Sequence, residues 1–242
     1  MARKSSTHPF SYDNRPPRIA CFNRAKMPMG VDFNALIAAL QKFVDDHLAP
    51  VWGTPAKLVK SSGFLKGAWA IVFLDSEDDA SLEGYHDLTP EGLPMSKVFV
   101  KNILKQKDQV SVAASHELAE MLVDPAANLY STGPRANRLY DYEVADPVEE
   151  LFFKVDGIAM TNFVYPAYFE TFHKRGSTRF DHMEALDMPF ALHLGGYQSY
   201  FSGGKERTAW GSKAKQVRFK KEDRRGHRSM MRRNAKRRLS KN

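Results

Sequence analysis

The chain has a single cysteine, Cys21, no internal repeat, and no uninterrupted apolar run of the roughly 18 residues that a membrane-spanning helix requires. One cysteine cannot form an internal disulfide, which fits a reducing compartment. The basic opening stretch MARKSSTHPFSYDNRPPR lacks the apolar segment of a secretory signal, so a cytosolic protein with no membrane partner is expected. Acid is scarce at the other end. Residues 205–242 hold 16 Lys or Arg against three acids, a balance of +13, so with +8 for the whole chain residues 1–204 sum to −5. An acidic body carries a basic tail. Hydrophobic residues make up 43% of the 242, enough for one substantial core.

Residues 1–30 mix Pro, Arg, Ser and Asn without periodicity and read as an irregular arm. From Asp32 the pattern changes. Phe33, Leu36, Ile37, Leu40, Phe43, Val44 and Leu48 recur at helical steps, which predicts an amphipathic helix ending before Pro50. AWAIVFLD (68–75) predicts a buried strand, GYHDLTPEGLP (84–94) a loop, and SKVFVKNIL (96–104) a partly exposed strand. A helix follows from about Gln109 to Val123, and LFFKVDGIAMTNFVYP predicts two strands turning at Asp156-Gly157. The aromatic, glycine-rich segment up to Gly204 predicts irregular structure and short helices. The whole predicts an α+β domain over 31–204, followed by a basic tail over 205–242.

The helix over 109–123 contains SHELAEMLVDP. On an ideal wheel with His116 at zero, Glu120 lies near 40°, Asp124 near 80° and Glu117 near 100°, one narrow sector of an otherwise apolar helix. A buried carboxylate costs several kcal/mol unless it is paired, protonated or bound to a cation. A divalent metal would supply the counter-charge. The pattern H-E-x-x-E alone arises by chance in roughly one or two of every hundred chains of this length, so the motif draws its weight from the buried helix that carries it. Zinc accepts carboxylate oxygen as well as imidazole nitrogen, which makes His116 and Glu120 candidate ligands and Glu117 a candidate general base. For a third ligand the segment YDYEVADPVEE offers Glu143 first, then Asp146, with Glu149 behind them. His86 is a candidate ligand or substrate contact. His173, His182 and His193, in the aromatic region, read as structural histidines. A metal-free domain with these carboxylates paired to Arg135 or Arg138 is the alternative.

GYHDLTPEGLPMSKVFVKNIL, VSVAASHELAEMLVDP, YEVADPVE and TNFVYPAYF, in this order, resemble a family of phage- and prophage-encoded proteins with a zincin-like metallopeptidase helix. The similarity covers about residues 60–200. It implies a zincin-like core, a twisted mixed sheet with an edge strand beside the HExxE helix, and a setting in a bacterial host cytoplasm or a virion. By that resemblance SKVFVKNIL would be the edge strand that takes up a peptide by β-augmentation, with Val98 and Val100 as substrate contacts. Glu120 stands where zincins place a histidine, which favours a harder cation and leaves open a site that keeps metal without catalysis.

The tail KKEDRRGHRSMMRRNAKRRLSKN offers Arg224, Arg225, Arg232, Arg233, Arg237 and Arg238 as nucleic-acid contacts through phosphate. Docking on an acidic protein surface is the rival use. Two functions follow: a zinc-dependent peptidase-like hydrolase of peptide or protein substrates, or a non-catalytic phage virion or assembly protein whose tail contacts nucleic acid or neighbouring virion proteins.

Overall fold

A computed structural model describes residues 15–76 and 83–222. Within the stretch read as an irregular arm, Arg18–Asn23 forms a strand, β1, whose four central residues are buried. RIACFN is too short to show a period, but its alternation is real in space. Ile19 and Cys21 face the main core, while Ala20 and Phe22 face a smaller cluster with Ala70, Val72 and Met95 on the opposite side of the sheet. Burial pushes the Cys21 thiol up to about 12, so it acts as a small apolar packing group.

Helix α1 (Phe33–Lys42) starts at Asp32, whose carboxylate accepts the N–H of Ala35 as a cap. It does not stop before Pro50. A π-helical turn, Phe43–Leu48, leads into a last short turn, α2 (Ala49–Trp52), that contains Pro50 and ends at Gly53 with φ 67°. Proline is tolerated in the first turn of a helix, where its missing N–H leaves no bond broken, and Gly53 accepts the left-handed conformation that ends the run.

Strands β2 (Lys57–Lys60) and β3 (Trp69–Leu74) flank β1 in parallel. The predicted loop GYHDL is a strand, β4 (Gly84–Leu88), with its turn deferred to Thr89–Leu93. It pairs antiparallel with β5 (Pro94–Phe99), and β5 lies parallel to β3. The five-stranded order is β2-β1-β3-β5-β4. Thus β5, expected at the edge, is interior, and β4 takes the edge. VKNILK turns into helix α3 (Val100–Lys105) instead of prolonging the strand. Val98 and Val100 are fully buried in the main core, where no substrate reaches them.

Helix α4 (Val110–Val123) is buried almost all round because β4 and β5 cover one side and a hairpin covers another. Ala114, Leu118, Ala119 and Met121 are fully enclosed, each large apolar side chain contributing about 1.5–3 kcal/mol. After short strands β6 (Tyr130–Thr132) and β7 (Leu139–Asp141), a single 3-10 turn at Asp146–Val148 runs past α4. The covering hairpin is β8 (Phe152–Val155) and β9 (Ile158–Thr161), reversing at Asp156 (φ 49°) and Gly157 (φ 81°) as the Asp-Gly pair predicts.

The segment after Thr161 is largely irregular, with one 3-10 turn at Pro166–Phe169. The body does not end at Gly204: β10 (Tyr197–Ser202) and β11 (Lys205–Trp210) form an antiparallel pair in a second sheet of order β11-β10-β7-β6. Helix α5 (Lys213–Glu222) follows. The first part of the basic segment is therefore folded onto the body, whereas the six candidate arginines from Arg224 to Arg238 lie outside the described residues. The molecule is a mixed α+β fold, and no helix of the described residues is long and apolar enough to cross a membrane.

Candidate metal centre

Three hydrogen bonds fix α4 and its neighbours, and with them the side chains it presents. The Ser96 hydroxyl on β5 donates to the Glu117 carbonyl (3.2 Å), the Thr161 N–H on β9 donates to the Ser115 hydroxyl (2.8 Å), and the Ala145 N–H donates to Glu120 Oε1 (3.3 Å). The third ties the 143–148 segment directly to the helix. Gly196 packs closely against the same segment, where a Cβ would lie 2.0 Å from the Pro147 carbonyl oxygen.

Two groups of ligand-type side chains result, and they share one member. His116 Nε2 stands 3.3 Å from Glu120 Oε1 and 3.2 Å from Asp146 Oδ1. His86, on β4, brings Nδ1 to 3.9 Å from both Glu120 Oε2 and Glu117 Oε2, contacts of charge rather than hydrogen bonds. His116, Glu120 and Asp146 form one triad with ligand atoms within 4.8 Å of one another; His86, Glu120 and Glu143 form the other. All of them line a cavity of about 520 Å³ that also takes in Glu83 and Asp141.

Of the residues singled out from the sequence, His116, Glu117, Glu120, Glu143, Asp146 and His86 are brought together. Glu143 and Asp146 exchange the expected order, because Asp146 opens the 3-10 turn beside His116 while Glu143 faces His86. Asp124 leaves the sector the wheel assigns it: its carboxylate accepts the N–H groups of Asn128 and Leu129 where the helix ends. Glu149 pairs with Lys215 at 2.7 Å. Arg138 stacks over the Tyr200 ring, 4.1 Å from its centre, instead of neutralising the cluster. His173 pairs with Glu170 at 2.8 Å, in keeping with a structural role.

Gly84 belongs to the site and escaped sequence reasoning. A Cβ at this position would meet Cγ and Oε1 of Glu117 at 2.8 Å and the Lys97 carbonyl oxygen at 2.9 Å, so only glycine leaves room for the Glu117 carboxylate. The one available hint was a glycine two residues before a candidate histidine. Lys215 and Arg218 of α5 gave no hint of any kind, yet Lys215 is buried against Glu149 and Arg218 reaches Asp108 (2.7 Å) and Glu150 (3.1 Å) at the cavity rim.

No family model, curated protein or solved structure matches the chain.

The electrostatics of the cluster are those of crowded acids in a dry place. Burial pushes Glu120 up to about 8, helped by the charges of Glu143 and Asp146 and opposed by His116. Burial likewise raises Asp146, against the pull of His116. Burial alone would lower both histidines, but the carboxylates around them win: His86 is pushed up to about 9 by Glu143, Glu117 and Glu120, and His116 well above its usual value by Glu120 and Asp146. Protons gather where positive charge is wanted. The donor set, one imidazole and two carboxylates in each triad, suits zinc or manganese, and His86 Nε2 is buried with no hydrogen-bond partner among the described residues.

Proposed function

We propose that the protein is a metal-dependent hydrolase of peptidase type, with His116, Glu120 and Asp146 holding a divalent cation and Glu117 acting as general base. The observation that carries this reading is the convergence of Glu120 Oε1 and Asp146 Oδ1 on one nitrogen of His116, inside a cavity open to a substrate. A zinc or manganese ion held there would act as a Lewis acid toward water and a substrate carbonyl.

The residues of the chain supply the rest. Glu117 lies on the same helix face, confined by Gly84, and its carboxylate can take the proton of the attacking water and hand it to the leaving amine. His86 lies beside it, with Nδ1 3.9 Å from its Oε2. The edge strand β4 flanks α4, and a peptide laid antiparallel or parallel along it would gain main-chain hydrogen bonds next to the cluster. An antiparallel edge strand on an otherwise parallel sheet, beside the helix that bears the motif, supports the zincin-like reading; the phage setting rests on the sequence resemblance.

The test is metal content and turnover on one pair of proteins. Glu117→Gln should keep the metal measured by elemental analysis and lose about 10²–10⁴-fold in peptide cleavage. Wild-type protein that holds zinc or manganese but cleaves no peptide or amide would overturn the hydrolase and leave the structural or assembly role. Protein that takes up no metal would remove both ion and mechanism.

A further inference from the structure

The first triad leaves His86 and Glu143 unused, although both line the same cavity. Glu120 divides its carboxylate between the two sides. Oε1 faces His116 at 3.3 Å, and Oε2 faces His86 at 3.9 Å. A carboxylate that turns one oxygen to each of two nitrogen ligands has the form of a bridging group between neighbouring cations. His86 supports the same reading. Its ring is 5% exposed, and the nitrogen it turns toward the carboxylates, Nδ1, stops 3.9 Å from Glu120 Oε2 and from Glu117 Oε2, beyond hydrogen-bond reach, which leaves room for a cation between ring and carboxylate. Charge points the same way. One divalent cation balances Glu120 and Asp146, while Glu117 and Glu143 stay behind in the same enclosure.

We infer that the cavity binds a second divalent cation through His86, Glu120 and Glu143, with Glu120 bridging it to the ion on His116 and Asp146. This inference rests on the proposed ion at His116. Paired cations in hydrolases sit about 3.5–4 Å apart, and a second ion would let one activate the attacking water while the other polarises the substrate carbonyl. The mixed nitrogen and oxygen donors suit zinc, manganese or iron(II) over calcium.

Full-length protein stripped with chelator and titrated with Mn²⁺ tests it. Calorimetry should give two equivalents per chain, and electron paramagnetic resonance at two equivalents should show the multiline spectrum of a spin-coupled pair. Glu143→Gln, close to the original in shape, should bind one equivalent and give only the uncoupled six-line signal; His86→Ala should do the same. The wild-type spectrum needs no variant to fold. One equivalent with an uncoupled spectrum in wild type, unchanged in Glu143→Gln, overturns the second ion and leaves the first. No uptake at all defeats the ion at His116 as well, so the two failures are distinguishable.

Discussion

Among the described residues, two pairs of buried or part-buried histidines sit in environments that act in opposite senses. In the acidic cavity, His86 and His116 are surrounded by carboxylates and are raised to about 9 and well above the usual value. In the aromatic region, His47 Nδ1 meets His182 Nε2 at 3.1 Å, and Tyr165 Oη meets His182 Nδ1 at 3.1 Å, with Phe153 and Phe163 packed on the rings. There burial pushes His182 down to about 4, assisted by His47 and Arg179, and burial lowers His47 too. Both places shield a histidine from water. What differs is the neighbour: acid draws a proton, or a cation, onto the ring, and a box of aromatics with a second imidazole excludes both. Burial of a histidine therefore says little about metal until the adjoining side chains are known.

The largest effect that separates the two places is on metal. His116→Ala should weaken zinc or manganese binding by more than about 100-fold, whereas His182→Ala should leave metal content unchanged and lower stability by about 1–3 kcal/mol through lost hydrogen bonds and packing. Calorimetric titration and urea unfolding of the two variants read these directly. Metal loss from His182→Ala in a folded protein would end the distinction.

The second effect is on pH. Glu120 and His86 bind more protons folded than unfolded, so their contributions to stability are complete below the ordinary 4.5 and 6.5 and are lost as pH rises from there to about 8 and about 9. His182 binds fewer protons folded than unfolded. Its contribution is complete above the ordinary 6.5 and is lost as pH falls toward about 4. Metal-free protein should thus melt highest between these limbs. Glu120→Gln should flatten the alkaline limb and His182→Phe the acid one. Adding zinc should reverse the alkaline limb, because the cation displaces the protons and its apparent affinity grows as they leave. A calorimetric melting series from pH 4 to 9, with and without zinc, checks all three; an alkaline limb that survives Glu120→Gln unchanged counts against the cluster as its source.

A smaller effect tests the fit around Glu117. Gly84→Ala places a methyl group against its carboxylate and should lower turnover by about 10–100-fold, with metal content retained, because the base is displaced and the ligands are not. Steady-state peptide cleavage alongside elemental analysis decides it. A rate equal to wild type would mean that Glu117 has room to spare.

Gly84 also shows where sequence reading stops. Helix α4 and the β8–β9 hairpin were legible because a buried helix and an Asp-Gly turn leave local signatures, and the cluster on α4 followed from one turn of helix geometry. Strand β4 was not legible, since Gly84, Asp87 and the nearby Pro90 and Pro94 are loop formers and only its pairing with β5 makes it extended. With β4 hidden, β5 takes its place at the edge, and Val98 of β5 and Val100 at the start of α3 read as substrate contacts. Strand β1 failed for a related reason: six residues between polar neighbours give too short a window. The order of Glu143 and Asp146 depended on which of two residues three positions apart enters a 3-10 turn, which spacing alone does not determine.

The mildest perturbation measures how far the acidic field reaches. Arg218, partly exposed on α5, sits at the cavity rim and is held by Asp108 and Glu150, while Lys215 one turn earlier is buried on Glu149. Arg218 lowers the negative potential of the cavity without touching the ligand atoms. Its replacement by alanine should cost less than about 1 kcal/mol of stability, as expected for a partly exposed pair. Metal affinity should rise by about twofold at low ionic strength and return to the wild-type value near 1 M salt, where screening acts within about 3 Å. Manganese titrations of both proteins at two salt concentrations provide the readout. No change at either salt would confine the field to the ligands, and weaker binding would give Arg218 a role in holding the cavity's shape rather than in tuning its charge.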